Sequence, residues 1–297
     1  MLLNGIENIG EIKKLFRRFK PDVVLFCLDF DGTLVKISRN PYDVAIPGEL
    51  KEFLVRASMI ENAYFAILSG RALIDIITRI GIKNNIIYSG THGFEIKSYY
   101  RTLNLNYTLK NSKYYIFLLK RLFKEVEKLH IKNLILEDKK YSVALHYRIL
   151  NSEQTKNLKA GVRNIMKNNT EFNERLHITR GKKLIEIRPK VEWSKGSTAG
   201  LITERLIERL EGGSKKRKVK ILRVNVGDDL TDETMFTQDY DFKVKTDATS
   251  TRAVVKMLNC VIGRKSKTSA AYFLNSHKQT PFFIEKIIEL FEGCMPK

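Results

Sequence analysis

The sequence predicts an α/β protein: a doubly wound, mostly parallel central sheet interrupted by an inserted α+β domain. Three observations carry that prediction. Short, unbroken apolar runs stop abruptly at polar or glycine clusters, and helical patterns separate them. Between about residues 108 and 189 the style changes to hairpins and amphipathic helices. An unbroken apolar run suits a strand covered on both faces, as parallel strands are. In a doubly wound domain, ligands sit beyond the carboxyl ends of the strands.

The elements follow in order. Val23–Leu28 (VVLFCL) is a strand ending at Asp29, and 47–57 reads as a helix. The run 64–68 (YFAIL) is a second strand, ending at Ser69-Gly70-Arg71, before a helix over Leu73–Ile80. A strand at 86–88 ends at Ser89-Gly90-Thr91-His92-Gly93. Later, a helix over 198–210 precedes a strand at 221–226 (ILRVNV), which ends at Gly227-Asp228-Asp229. Within the insertion, 112–129 places Tyr115, Leu118, Leu119, Leu122, Val126 and Leu129 on one helical face, with Ser112 as N-cap. Segments 134–137 and 141–147 flank Asp138-Lys139-Lys140 as a hairpin. In its second arm Tyr141, Val143, Leu145 and Tyr147 alternate with Ser142, Ala144 and His146, the pattern of a half-exposed strand. A helix over 153–167 and a second hairpin, 177–179 with 183–188 about Gly181, complete it. The expected division is a core of 1–107 and 190–297 with an inserted domain of 108–189.

Composition narrows the function classes. The chain has 297 residues, beyond the usual ~100–200 of one domain, and 43% hydrophobic content supports a sizeable core. No run of ~18 uncharged apolar residues is present, so no bilayer-spanning helix is expected. The start, MLLNGIENIGEIKK, carries acidic residues and lacks the apolar segment of a secretory signal, so a cytoplasmic protein is expected. Cys27, Cys260 and Cys294 are too scattered for a disulfide framework or a metal-ligand spacing. Lys and Arg number 53 against 33 Asp and Glu, a net charge of +20. A nucleic-acid binder would interleave a basic stripe with aromatics, whereas these lysines are spread along the chain. The dense run at 215–220 (KKRKVK) reads as a solvated loop entering a strand, and neither a nucleic-acid nor a membrane partner is expected.

The chemistry concentrates at DFDGTL, Asp29 to Leu34, directly after the first strand. Two carboxylates two residues apart, with Gly32 permitting a sharp turn, can converge on one metal and one phosphoryl group. GDDLTDE, Gly227 to Glu233, packs so many acidic residues together that a cation must offset them or solvent must bathe them. The DxDGT pattern resembles the haloacid-dehalogenase-like (HAD) phosphotransferases, and the other motifs of that superfamily appear in order: Ser69 in LSGR, Lys195 in EWSKGSTAG and the GDDLTDE cluster.

That resemblance implies a HAD-like core bearing a cap domain. It implies Asp29 as nucleophile forming an aspartyl-phosphate and Asp31 as general acid and then base. Ser69 and Lys195 would hold the phosphoryl oxygens. Mg²⁺ is the implied cofactor, bound by the Asp29 side chain, the Asp31 carbonyl and Asp228, with Asp229 and Asp232 supporting them. The remaining motifs, GTHGFE, LEDKKYSVALHYR, KLIEIRP, EWSKG and GDDLTDE, resemble trehalose-6-phosphate phosphatases. The likeness implies hydrolysis of trehalose 6-phosphate, in a pathway that includes a trehalose-phosphate synthase. It places Glu137, Lys139 and Glu186 of the cap on sugar hydroxyls, and Gly70, Arg71, His92 and Gly93 on the substrate. Arg148 and Arg188 are further cap candidates, and Trp193 reads as packing. Phe30 stands where many relatives have Tyr. Phosphatases of sucrose phosphate or mannosylphosphoglycerate, a phosphomannomutase, and a basic binding module on a retired HAD fold are the alternatives.

Overall fold

A computed structural model describes residues 2–38, 43–181, 183–211, 218–237 and 253–294. Of the basic run at 215–220, the first three residues lie outside the described ones. In chain order the first unit of structure comprises β1 (Leu3–Asn4), α1 (Ile9–Phe19), β2 (Val23–Leu28), α2 (Gly48–Ala57), β3 (Ala63–Leu68), α3 (Leu73–Ile80), β4 (Ile87–Gly90), β5 (Glu95–Ser98) and β6 (Asn106–Thr108). Then come α4 (Ser112–Glu127), β7 (Ile135–Asp138), β8 (Val143–His146), α5 (Ser152–Asn168), α6 (Thr170–Arg175), β9 (Leu176–Gly181) and β10 (Leu184–Pro189). The chain closes with α7 (Lys195–Glu211), β11 (Val219–Gly227), α8 (Glu233–Thr237), β12 (Ala253–Ile262), β13 (Tyr272–Leu274) and α9 (Thr280–Glu292).

The large sheet runs β1-β13-β12-β11-β2-β3-β4-β5-β6, and the strands from β1 to β4 in that order are parallel. Every residue of β2 and β3 is buried, because helices cover both faces. Val24, Phe26 and Leu28 pack with α1, α2, α3 and α9, while Val23, Leu25 and Cys27 pack with α7 and α8. The unbroken apolar runs therefore mark strands sandwiched between helix layers, as the sequence predicts. Order reverses between β2 and β11: β3 and β4 follow on one side, β12 and β13 on the other. Such a switch point opens a crevice at the carboxyl edge. Val226 pairs with Leu28, so Asp29 and the 227–233 turn leave the sheet side by side.

Pattern reading passed over α1, β12 and β13. β12 exposes Val254 and Lys256 in its first half and buries Leu258, Cys260 and Val261 in its second, and Lys256 and Asn259 break its apolar run. Helix α7 starts at Lys195, three residues before the predicted position, because Ser194 Oγ accepts from Ser197 N and opens the helix there.

The chain divides into two compact units, Met1–Tyr107 with Trp193–Lys297, and Thr108–Glu192. The smaller one has its own antiparallel sheet, β7-β8-β10-β9. Val143, Leu145, Ile185 and Ile187 pack one face of it against α4 and α5. Helix α5 opens on a capping box, Asn151 accepting from Gln154 N and Gln154 accepting from Asn151 N. Strand alternation turns Glu137, His146, Glu186 and Arg188 to the opposite face.

Candidate active site

Sheet topology delivers three distant segments to one point. Lys195 Nζ donates to Asp29 Oδ1 at 2.6 Å and to Asp232 Oδ1 at 2.7 Å, and all three residues are buried. Thr33 Oγ1 donates to the other Asp29 oxygen at 3.0 Å. Asp232 Oδ2 accepts from the backbone N–H groups of Asp228 (2.8 Å) and Asp229 (3.0 Å), which folds the acidic turn around it. Asp229 Oδ1 accepts from Thr231 N and Thr231 Oγ1, bracing that turn at its solvent edge. Gly32 has φ +97°, and a Cβ there would lie 2.3 Å from Asp228 Oδ2. Only glycine both makes the turn and lets that carboxylate approach.

Charge is unbalanced here. One buried ammonium, Lys195, and the exposed Lys265 at the Asp228 carbonyl face the four carboxylates Asp29, Asp228, Asp229 and Asp232. Burial works to depress Lys195, but Asp232 and Asp29 hold it well above the ordinary lysine range, so it is a cation. Burial pushes Asp29 well above the carboxylate range; Lys195 opposes this, and Asp232 and Asp228 reinforce it. Asp228 is pushed to about 7 by burial and by repulsion from Asp229 and Asp232. Asp229 stays below the usual range because Lys195 and Thr231 outweigh its partial burial.

Oxygens of Asp29, Asp228 and Asp232 lie within 4.8 Å of one another, close enough to hold one ion. The all-oxygen donor set suits a hard divalent cation. Asp228 fits that role best, since its carboxylate accepts no hydrogen bond from a described residue while its backbone atoms are engaged. Asp232 is already committed to Lys195 and two backbone N–H groups.

The β3 and β4 termini interlock beside this cluster. Buried Ser69 accepts from Arg71 N at 3.1 Å, His92 N donates to Ser69 O at 2.9 Å, and Thr91 N donates to Arg71 O at 2.7 Å. His92 packs on Gly70 so closely that a Cβ there would meet its ring at 2.7 Å. Gly93 lies against Thr198 and Trp193, whose Nε1 donates to Thr198 Oγ1 and whose ring stacks on Tyr107 at 4.8 Å. Arg71 turns to Asp31: its Nε and Nη2 donate to the two Asp31 oxygens, each at 2.7 Å.

In the smaller unit, Glu186 Oε1 accepts from Ser142 Oγ at 2.7 Å and from Lys139 Nζ at 3.2 Å. Glu137 Oε2 lies 2.9 Å from His146 Nε2. Burial works to raise Glu137, yet that hydrogen bond and Lys139 carry it below its ordinary value. Arg188 Nε donates to His177 Nε2 at 3.0 Å, while Arg148 is exposed. Sequence reasoning passed over Thr33, Asp75, Ser142 and His146. The alternation in 141–147 was the available signal for the last two, since it sets Ser142 and His146 on the face of Glu137 and Glu186.

The geometry has counterparts. The trehalose-phosphatase family model matches residues 27–278. A trehalose-phosphate phosphatase of Mycobacterium leprae is 32% identical over 211 residues, covering 70% of this chain and 46% of that protein. The chain thus spans about half the length of the curated relatives it matches. The C-terminal domain of Candida albicans trehalose-6-phosphate phosphatase superposes with a TM-score of 0.65 at 22% identity, over 96% of this chain and 98% of that one. A haloacid dehalogenase-like hydrolase from Bacteroides thetaiotaomicron shares the fold with a TM-score of 0.54 at 12% identity, over 90% of this chain and 100% of that one. A family match over most of the chain, the DFDGT and GDDLTDE turns at one switch point, and the buried lysine between them agree: this chain belongs to the trehalose-phosphatase family.

Proposed function

We propose that the protein is a Mg²⁺-dependent phosphatase that hydrolyses trehalose 6-phosphate to trehalose and phosphate. The observation that carries this is the buried Lys195 bridging Asp29 and Asp232 beside an Asp228 carboxylate that accepts no hydrogen bond from a described residue. The Asp29 carboxylate, the Asp31 carbonyl and Asp228 would hold the ion, which supplies charge neutralisation for the phosphoryl group. Asp232 keeps Lys195 in place and shapes the turn bearing Asp228, and Asp229 braces that turn.

Asp29 attacks phosphorus, and the bond to the sugar oxygen breaks as Asp31 gives that oxygen a proton. A water molecule then attacks the aspartyl-phosphate; Asp31 takes its proton, and the Asp29–phosphorus bond breaks. Ser69 and Lys195 hold the non-bridging oxygens, with α7 starting at Lys195 and presenting its positive end. Gly70, His92 and Gly93 shape the loop beside the phosphate, and Arg71 acts through Asp31. In the smaller unit, Glu137, Lys139 and Glu186 form a mixed donor and acceptor set suited to polyol hydroxyls.

Released phosphate, measured over a panel of phosphorylated sugars with Mg²⁺, tests the reading. Trehalose 6-phosphate should be preferred over sucrose phosphate, chelation should stop release, and Asp29→Asn should abolish it with the fold intact. Phosphate release by Asp29→Asn at the wild-type rate would remove Asp29 as nucleophile.

A further inference from the structure

We propose that Asp75, on α3, is a positioning residue for the acid–base step: it fixes Arg71, and Arg71 fixes the Asp31 carboxylate. The inference rests on the role assigned to Asp31 above and extends it to residues outside the motifs.

Asp31 sits at the end of a row of alternating charges. Arg71 grips both of its oxygens in a fork, Nε on Oδ2 and Nη2 on Oδ1, each at 2.7 Å. The third contact of that guanidinium, Nη1 to Asp75 Oδ2 at 3.1 Å, points away from Asp31 along α3. Arg79 Nε donates to both Asp75 oxygens at 2.8 Å, and its Nη1 donates to the Val44 carbonyl. The row reads Asp31, Arg71, Asp75, Arg79, and its last three members recur four residues apart, the spacing that brings side chains together on a helix.

Exposure alternates along the row: the Asp31 and Asp75 side chains are 32% and 35% exposed, whereas those of Arg71 and Arg79 are 12% and 14% exposed. A carboxylate at the solvent edge has several rotamers within reach; a planar fork on both oxygens selects one. The fork can select only as well as it is itself held. The backbone of Arg71 is pinned by Ser69 and Thr91, and Phe30 lies 5.8 Å beneath the guanidinium carbon. The far edge of the guanidinium is tied by Asp75. Burial works to raise Asp75, but the hydrogen bonds from Arg79 and Arg71 carry it below its ordinary value, so it is an anion. Removing that anion would leave the two guanidinium groups facing each other without the charge between them, and Arg71 would lose the contact at its Nη1 edge.

Asp31 must free one of the two oxygens that Arg71 grips to carry the proton, keeping the other on the fork, and a sugar alkoxide is a poor leaving group without that proton. A nitrophenolate leaves readily unprotonated. Misplacing Asp31 should therefore damage cleavage of a sugar phosphate and spare cleavage of an aryl phosphate. The informative quantity is kcat/KM, which reports the step in which the leaving group departs; kcat also reflects hydrolysis of the common aspartyl-phosphate.

The experiment compares kcat/KM of wild type, Asp75→Asn and Asp75→Glu on trehalose 6-phosphate and p-nitrophenyl phosphate, with thermal melts of each. General acid catalysis contributes about 10²–10⁴-fold, so partial misplacement by Asp75→Asn should cost on the order of 10-fold on the sugar phosphate. On the aryl ester the loss should stay within about 2-fold, and Asp75→Glu, which keeps the charge, should restore most of the difference. Equal loss on both esters, or no loss, overturns the proposal and assigns Asp75 to helix stability alone. If Asp75→Asn does not fold, Arg79→Gln removes the outer link and must show the same selective loss. A wild-type protein inactive on both esters overturns the phosphatase reading and this inference with it; an active wild type with an unselective variant overturns the inference only.

Discussion

Lys195 shows how much a single buried charge can organise. Its ammonium offsets Asp29 and Asp232 at once, and neither carboxylate has solvent to turn to. Breaking a buried pair by deleting one partner leaves an uncompensated charge, at a cost of about 3–5 kcal/mol. Lys195→Ala should therefore both abolish turnover and lower the urea midpoint, whereas Ser69→Ala, which removes only a hydroxyl accepting from Arg71 N, should leave the midpoint far less changed. Glu137 makes the pH-dependent case. Its folded value lies below the ordinary 4.5, although burial pulls the other way, because His146 and Lys139 favour the ionised form. The stability it confers is complete above 4.5 and disappears as pH falls through the lower folded value. Glu137→Gln should thus be less stable than wild type at neutral pH, and the two unfolding curves should converge on acidification.

At the scale of elements, the turn after β2 carries the strictest demand. Phe30 O accepts from the N–H groups of Leu34 and Val35, and Gly32 N donates to Val35 O, so the turn is closed by its own backbone. Gly32→Ala places a methyl group within 2.3 Å of Asp228 Oδ2 in a left-handed conformation. The carboxylate must move, and with it the partner that β11 brings to Asp29. Turnover should fall by at least about 100-fold, and the rise in melting temperature on adding Mg²⁺ should shrink. A helix cap away from the site gives the contrasting outcome. Asn151→Ala removes the capping box of α5, which should cost about 1 kcal/mol in chemical unfolding without changing kcat/KM.

For the whole molecule, the division into two units has a measurable consequence. The large unit keeps two apolar layers about its sheet, and the small unit has a separate core around Leu118, Val143, Leu158 and Ile187. On the large unit, the segments entering and leaving the insertion are brought together by the stack of Tyr107 on Trp193, with centroids 4.8 Å apart. A short Gly-Ser bridge can therefore replace 108–192. The shortened protein should fold, keep hydrolysis of p-nitrophenyl phosphate and lose its preference for trehalose 6-phosphate. Retention of that preference would remove Glu137, Lys139 and Glu186 from sugar recognition. Among the described residues no helix is long and apolar enough to cross a membrane.

Neighbouring residues alone were enough for the α/β layering and for the chemical parts of the site. Buried parallel strands need apolar residues on both faces, and turns that bear carboxylates need Gly and Asp at fixed local offsets; both requirements are written in neighbouring residues. Strand β12 escaped because its exposed positions break the apolar run, and α7 was started late because its opening residues are polar. Which of these parts meet is set by the fold. Lys195 reaches Asp29 across 166 positions because α7 packs on the face of β2 that carries Val23, Leu25 and Cys27, and Arg71 meets Asp31 across 40 because β2 and β3 are neighbours. The link from Arg71 onward to Asp75 and Arg79 is local in sequence, yet nothing in a run of helical residues marks it as leading to Asp31. Pairing between distant segments depends on strand order and register, which the sheet as a whole sets and no local pattern records.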